Sequence, residues 1–153
     1  VRPIVLGDDI EGEARDVAQK HAEMALNIIE THENSNGPCV ILSGGETTVS
    51  IKGKGGRGGP NGEYALAMAL ILKGNKHVYA LSCDTDGIDG SEDNAGAMIG
   101  PDTLERGKIT RLDAELFLEH NDSYGFFEKA GGLLLTGPTC TNVNDIRAIL
   151  ILP

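Results

Sequence analysis

The sequence predicts an α/β domain with a mixed, mainly parallel sheet flanked by helices. Short apolar segments of strand length alternate along the chain with longer segments of helical periodicity. The 153 residues are enough for one domain with its own core, and a hydrophobic content of 40% is ordinary for such a domain. Polar motifs follow the predicted strands, which is where α/β folds place their binding sites.

The first half of the chain is predicted to form a strand, a helix and two further strands. Residues Glu13–Thr31 place alanine, valine and isoleucine at helical spacing, which predicts one long amphipathic helix. Apolar and β-branched residues then indicate two strands, separated from the helix by a loop with strong breakers. The predicted elements are strand Pro3–Gly7, turn Asp8–Gly12, helix Glu13–Thr31, strand Cys39–Ser43 and strand Thr47–Ile51.

The second half is predicted to begin with a buried helix. Pro60 suits a first helical turn, and the alanine-rich segment Tyr64–Leu72 continues to a stop at Gly74. Residues 121–123, Asn-Asp-Ser, form an N-cap cluster between two short helices. The other predicted elements are strand His77–Cys83, helical turn Ala95–Ile99, helices Leu112–His120 and Tyr124–Ala130, and strands Leu133–Thr136 and Arg147–Leu152.

Composition narrows the classes of function. A formal net charge of −10 argues against binding to nucleic acid, which needs clustered cations. No apolar run reaches the ~20 residues of a membrane span, and no secretory leader opens the chain, so a cytoplasmic protein is expected. The three cysteines form no CxxC pair, which favours reduced thiols over zinc. A start at Val1, beside the first predicted strand, predicts a piece of a larger protein.

A basic, glycine-rich loop stands out in this acidic chain, in the stretch TTVSIKGKGGRGGPNGEYALAMAL. Lys52, Lys54 and Arg57 lie within six positions, and six glycines fall in ten residues. Glycine lets the backbone approach a ligand closely, and arginine binds phosphoryl oxygens in bidentate fashion. The loop therefore predicts an anion site, and its alternative is a solvated surface loop. The predicted phosphate-binding set of the loop is Lys52, Lys54, Gly55, Gly56, Gly58 and Asn61.

The same loop matches the dinucleotide fingerprint GxGxxG at Gly53, Gly55 and Gly58. A nicotinamide-dependent reductase is therefore an alternative, with Asp84 as the acid that binds ribose. The spacing to that acid exceeds the usual ~20 residues, and backbone amides alone would hold a pyrophosphate without three cations. A P-loop is excluded, because Gly-Lys-Ser/Thr does not follow the glycines.

Three further polar loops follow predicted strands. In DTDGIDG, Asp84, Asp86 and Asp89 could hold Mg²⁺, orient a substrate hydroxyl or accept a proton, although Asp-Gly pairs also form ordinary turns. Strands that run parallel would bring these loops to one edge of the sheet. The remaining candidate ligand-binding residues are Ser43, Gly44, Gly45 and Glu46 of SGGE, and Thr139, Thr141, Asn142, Asn144 and Asp145 of TGPTCTNVND.

Taken together, these motifs resemble the C-terminal domain of the glycerate 2-kinases, which is named MOFRL. Proteins with this domain are often labelled hydroxypyruvate reductases. The resemblance extends over nearly the whole chain, and the domain is expected to span residues 1–153. It rests on five motifs in the family's order: SGGETTVSIKGKGGRGGPN, ALSCDTDGIDG, AGA, HNDS and TGPTCTNVNDIRAIL.

The resemblance implies an ATP-dependent kinase that phosphorylates D-glycerate to 2-phosphoglycerate. It implies a larger N-terminal Rossmann-like domain, absent here, that carries a catalytic lysine and closes the active-site cleft. Arg57 matches the family's functional arginine, and Asp84, Asp86, Thr141 and Asn142 would face the cleft. ATP and Mg²⁺ are the implied cofactors, and a sheet edge left bare by the absent half could promote a homodimer.

Two positions depart from the family's pattern. Gly62 replaces a glutamine, and Cys140 replaces a glycine that would be strained as cysteine if its φ is positive. Both departures leave a non-catalytic ligand-binding domain as a further alternative. The kinase interpretation assigns catalysis to Arg57, Asp84 and Asp86, with Asp84 and Asp86 as Mg²⁺ ligands.

Overall fold

The computed structural model describes residues 1–32, 35, 37–51 and 55–153. Thirteen helices and strands are found within these residues. The helices are α1 Ala14–Glu30, α2 Pro60–Leu72, α3 Thr103–Ile109, α4 Ala114–Glu119 and α5 Ser123–Ala130. The strands are β1 Arg2–Val5, β2 Gly12–Glu13, β3 Cys39–Gly45, β4 Thr47–Thr48, β5 Val78–Asp84, β6 Gly96–Ile99, β7 Leu133–Leu134 and β8 Asp145–Ile151.

The main sheet has six strands in the order β1-β3-β8-β5-β6-β7. Strands β1, β3, β5 and β7 run in one direction, so the prediction of an α/β domain with a mixed sheet and one dominant strand direction is confirmed. Strand β8 lies between β3 and β5, and β6 lies between β5 and β7, both in the opposite direction. Among the described strands of this sheet, only β1 and β3 are therefore parallel neighbours, a pairing that the sequence did not predict.

The helices pack together as a layer on one face of this sheet. Helix α2 is apolar on nearly all sides and is buried between β5, β6 and helix α1. Helix α1 buries only the stripe that faces α2, as its amphipathic pattern predicts. His21 on that stripe lies 2.8 Å from the Tyr64 hydroxyl, and burial lowers the pKa of His21 to about 4. This histidine is therefore a neutral core residue, as its apolar surroundings predict.

Several predicted elements are corrected by the structure. The helical turn predicted at Ala95–Ile99 is wrong: Gly96–Ile99 form β6, because a strand partner on either side supplies hydrogen bonds. The predicted strand Thr47–Ile51 is reduced to β4, which pairs with β2 outside the main sheet. Helix α3 was not predicted, since its sequence TLERGKI is short and carries a central glycine.

The described helices do not include one that could cross a bilayer. The sheet face opposite the helices carries apolar side chains and is covered by no described element. One face of the domain is thus a packed core and the other is open.

Candidate functional site

Polar loops meet at one end of the main sheet. The pairing register places Gly45, Asp145 and Asp84 side by side across β3, β8 and β5. The loop after β5 and the loop before β8 therefore begin at the same edge. The start of α2 reaches this edge as well, because the Asn61 side chain donates to Asp145 over 2.7 Å. Three of the four polar loops thus meet at this edge, and the basic loop approaches it through the start of α2, with residues 52–54 outside the described part of the chain.

The acidic loop and the TGPTCTN loop form the outer part of this edge. The backbone N–H of Thr139 donates to the Asp86 carbonyl over 2.9 Å, and the side-chain amide of Asn142 donates to the Asp86 carboxylate over 3.3 Å. The Thr139 hydroxyl also donates to the Thr85 carbonyl. These bonds hold two loops, which are more than fifty residues apart in sequence, as one exposed surface.

A shallow cavity of about 400 Å³ lies on this surface and is lined by Asp86, Ile88, Pro138, Cys140, Thr141 and Asn142. Cys140 has a φ of 60°, so the position that carries glycine in the family's pattern requires the left-handed region. The larger cavity of about 870 Å³ between α2, α3 and α4 contains none of the predicted site residues.

The carboxylates at the edge repel one another. The Asp86 amide donates to the Asp84 carboxylate over 2.8 Å, which fixes the first turn of the loop. Burial, together with the carboxylates of Asp86 and Asp145, raises the pKa of the Asp84 carboxyl. A cation beside Asp84 would offset this excess of negative charge.

The donor chemistry fits a partial magnesium site. Within the described part of the chain, no group of three or more His, Cys, Asp and Glu side chains could hold a metal ion unaided. Magnesium in phosphoryl-transfer sites is commonly bound through one or two carboxylates, with phosphate oxygens and water completing its shell. Asp84 and Asp86 supply carboxylates of that kind at the exposed edge.

Arg57 lies at the surface beside α5. Its guanidinium is 2.7 Å from the Glu128 carboxylate and lies over the Tyr124 ring at 4.7 Å from the ring centre. Its amide donates to the Asp122 carboxylate, and its carbonyl accepts from the Tyr124 amide. The backbone of Arg57 is therefore fixed, whereas the side chain is about half exposed and held by an exchangeable surface ion pair.

Glycines of the basic loop allow close packing against the protein itself. A Cβ at Gly56 would lie 2.3 Å from the Asp122 side chain, and a Cβ at Gly59 would lie 2.3 Å from the Asp89 carboxylate. Gly58 lies against Ser123 in the same way, while Gly55 lies beside Ile51. Lys52 and Lys54 lie outside the described residues. The glycines let the loop pack closely against residues 122–124, and this packing leaves the Arg57 side chain at the surface.

Asp89 lies inside the domain, three residues from the half-buried Asp86. Its carboxylate accepts from the amides of Asn61 and Gly62 over 2.9 and 2.7 Å and caps the start of α2. Burial raises the pKa of Asp89 to about 6. In a dinucleotide site a pyrophosphate would occupy this helix end. The position is filled by a carboxylate of the chain, which weighs against the fingerprint interpretation of GxGxxG.

Buried polar side chains connect this cap to the sheet. Asn61 bonds to Asp89, to Asp145 and to the Ser82 hydroxyl. Asp145 pairs with the fully buried Arg147 over 2.7 Å. We refer to Ser82, Asn61, Asp89, Asp145 and Arg147 as the interior network. It ties the start of α2 to strands β5 and β8.

The SGGE segment is held by the same network. The Arg147 guanidinium donates to the carbonyls of Gly44 and Gly45 over 3.2 and 3.4 Å. Ser43 is buried at the end of β3, whereas Glu46 is exposed between β3 and β4. Of this segment, Glu46 therefore has the side chain that is open to solvent.

Sequence reasoning placed Asp145 among the candidate ligand-binding residues, but it missed Arg147 and the pair that these two residues form. Their signal was present in NDIRAILI, where one arginine interrupts an apolar strand two residues after an aspartate. An alternating strand places such a pair on one face, and a buried arginine needs a carboxylate partner. The contacts of Arg57 with Tyr124 and Glu128 had no comparable signal, because they depend on how α5 packs.

Loops gathered at one edge of a mixed sheet, and fixed from within by a buried polar network, define an α/β domain of ligand-binding type. Within this class, the chain matches one known family. The chain belongs to the MOFRL family, whose model matches residues 39–145.

Related proteins support this assignment. The chain is 52% identical over 150 residues to a protein of Agrobacterium vitis named "Putative hydroxypyruvate reductase", and 39% identical over 147 residues to a glycerate 2-kinase of Pyrococcus horikoshii. The crystal structure of a Thermotoga maritima glycerate kinase matches 98% of the chain with a TM-score of 0.92 and 37% identity. That match covers 36% of the Thermotoga chain, and the two sequence relatives are covered over 39% and 33% of their length. The chain thus spans between a third and two-fifths of these relatives.

Proposed function

We propose that residues 1–153 are the C-terminal domain of an ATP-dependent glycerate 2-kinase. The longer protein would transfer the γ-phosphoryl group of ATP to D-glycerate and form 2-phosphoglycerate. The observation that carries the proposal is the match of 98% of the chain, at a TM-score of 0.92, to a structure that is named a glycerate kinase. The reaction would take place in a cleft between this domain and an N-terminal Rossmann-like domain that lies outside the chain.

Arg57 is the group we assign to the transferring phosphate or to the substrate carboxylate. Its backbone is fixed by Asp122 and Tyr124, while its guanidinium is held at the surface by Glu128. Exchange of the Glu128 carboxylate for a phosphoryl group would keep the charge of Arg57 paired during transfer. Lys52, Lys54 and the amides of Gly55, Gly56 and Gly58 would add positive potential beside it.

The exposed edge supplies the acidic half of the site. Asp84 and Asp86 would hold Mg²⁺, whose charge, when bound, neutralises phosphate oxygens. One of these carboxylates could instead orient the attacking hydroxyl of D-glycerate. Thr139, Thr141 and Asn142 would donate hydrogen bonds to substrate from the facing loop, and Glu46 would face the cleft from the end of β3.

The interior network has a positioning role in this proposal. Asn61 and Asp89 were predicted to bind phosphate or substrate, but both side chains are buried and bonded to the protein. We assign them to holding the start of α2 and the acidic loop in register. Gly62, which replaces the family's glutamine, lies against Ser123 at this same junction.

Hydroxypyruvate reduction with a nicotinamide cofactor is the second candidate. It is favoured by the name of the Agrobacterium vitis relative and by the literal GxGxxG match. The carboxylate of Asp89 at the start of α2 disfavours it.

A cytoplasmic location fits the three free cysteines.

The test is a coupled assay of ADP release by the longer protein with D-glycerate, ATP and Mg²⁺. Oxidation of NADH by hydroxypyruvate is measured in parallel. We expect glycerate-dependent ADP release, and no ADP release from residues 1–153 alone, because half of the cleft is outside this chain. NADH oxidation without ADP release would replace the proposal with the reductase, and turnover in neither assay would favour a non-catalytic domain.

A further inference from the structure

The sheet face opposite the helices is apolar across its four central strands. Side chains on this face alternate with those that face the helices, as the burial patterns of β3, β5 and β8 show. The pairing register aligns Val40 with Leu150 and Tyr79, and Leu42 with Ala148, Leu81 and Met98. We name this surface the open face: Val40, Leu42, Tyr79, Leu81, Met98, Ile146, Ala148 and Leu150.

The open face is built like an interior. Strands β3 and β8 carry apolar side chains on both sides, a pattern typical of sheets that are covered on both faces. Tyr79, Met98 and Ile146 are nevertheless 44%, 45% and 44% exposed, and Val5 of the neighbouring strand β1 is 70% exposed. Single exposed apolar residues are common on proteins, but a contiguous set of this size marks an interaction surface.

The shape of the surface suits a layer of packed elements. Two shallow depressions lie at its ends, one of about 550 Å³ beside Met98 and Leu150 and one of about 430 Å³ beside Val5 and Ile146. The alternating positions named above carry no charged side chain. A highly charged partner such as a nucleic acid would therefore find no complementary charge at these positions.

The lengths of the related proteins indicate which polypeptide covers the open face. The chain covers 39%, 33% and 36% of three relatives, so the longer proteins contain roughly another two-thirds of their polypeptide. We propose that the open face is the contact surface for that remaining part of the same polypeptide, which lies across β3, β8 and β5. The domain would then form a three-layer structure, with the helices described here on one side and elements of the longer chain on the other.

Thiol labelling of the longer protein tests this contact. Met98→Cys and Tyr79→Cys place a thiol on the open face, and Ile109→Cys, at a 75% exposed position on α3, is the matched control. All three are made with Cys140 replaced by glycine, because that native thiol is exposed. We expect the two open-face thiols to react with a maleimide about 100-fold more slowly than Cys at position 109, since reaction requires local opening. Equal melting temperatures of the three variants establish that each is folded.

Two outcomes would overturn the proposal. Labelling of both open-face thiols at the rate of the position-109 control would show that the face is exposed in the longer protein. Protection that disappears on dilution, together with a dimer-to-monomer change in light scattering, would assign the face to a second copy of the chain. If Tyr79→Cys fails to fold, Met98→Cys gives the same comparison. The result does not depend on kinase activity, so it can fail or succeed independently of the proposed function.

Discussion

Asp86 and Asp89 lie three residues apart in one acidic loop and have opposite surroundings. Asp86 is at the exposed edge, where it meets Asn142 and lines a cavity. Asp89 is buried and accepts from the amides that begin α2. The outer half of the loop can therefore reach a ligand, whereas the inner half supports the outer half from within the domain.

The same contrast separates two arginines. Arg57 is about half exposed and pairs with Glu128 at the surface. Arg147 is fully buried, pairs with Asp145 and bonds to the carbonyls of Gly44 and Gly45. We therefore expect substitutions at the outer group to change activity and substitutions at the inner group to change stability.

The largest effect is expected for Arg57→Ala in the longer protein. If Arg57 contacts the transferring phosphate, glycerate-dependent ADP release should fall by roughly 10²–10⁵-fold. The free energy of unfolding should change little, because the pair with Glu128 is exposed to solvent. Arg111→Ala, at an exposed position outside the site, is the control and should retain activity. Full activity of the Arg57 variant would remove this residue from the mechanism.

Arg147→Met should cause the largest loss of stability. It leaves the Asp145 carboxylate buried without its cation, which typically costs about 3–5 kcal/mol. Urea unfolding measures this loss, with Arg57→Met as the control at an exposed pair. Equal stability of the two variants would show that the interior network does not support the fold.

Protonation of the buried Asp89 carboxyl should make the free energy of unfolding depend on pH. Burial raises the pKa of its carboxyl to about 6 from an ordinary value of 3.8, so the folded state binds this proton more tightly than the unfolded state. Its contribution to stability is therefore fully present below about pH 4 and is lost as the pH rises through 6. Relative to Asp89→Asn, the free energy of unfolding of the native protein should fall by roughly 2–3 kcal/mol between pH 4 and 7. Parallel curves for the two proteins would contradict this assignment.

The smallest effect is expected at Cys140. Its φ of 60° lies in the left-handed region, which disfavours cysteine by about 1–2 kcal/mol. Replacement by glycine would relieve this strain, but part of the gain in stability is offset because glycine has more conformational entropy in the unfolded chain. Cys140→Gly should raise the free energy of unfolding by up to about 1 kcal/mol. Cys140→Ala, which keeps a Cβ, is the control and should give no such gain in the same urea titration.

Much of the fold could be predicted from the sequence. Helix α1 and strands β3, β5 and β8 follow from strong periodicity and long apolar segments, which depend on local pattern alone. Strand β6 could not be predicted, because GAMI is a strand only through its partners on both sides. The insertion of β8 between β3 and β5 is also set by packing of the whole domain.

The candidate site was predictable to a similar degree. Polar residues at strand ends identified the edge, since the end of a strand is visible in sequence. Burial was not visible, so Asp86 and Asp89 looked equivalent as Asp-Gly pairs in one loop. Gly55, Gly56 and Gly58 of the basic loop are predicted as ligand contacts, and the structure adds that Gly56 and Gly58 allow close approach to Asp122 and Ser123.

The most direct measurement compares Asp84→Asn with Asp89→Asn in the longer protein, recording glycerate-dependent ADP release and urea unfolding for each at pH 8. We expect Asp84→Asn to lose activity by at least about 100-fold, with stability unchanged within about 1 kcal/mol. Asp89→Asn should lose about 1–3 kcal/mol, because an amide group would face the Gly62 N–H, and should keep turnover per folded molecule within about tenfold. The reverse pattern, with activity lost at Asp89 and stability lost at Asp84, would contradict the division between an outer binding edge and an inner support.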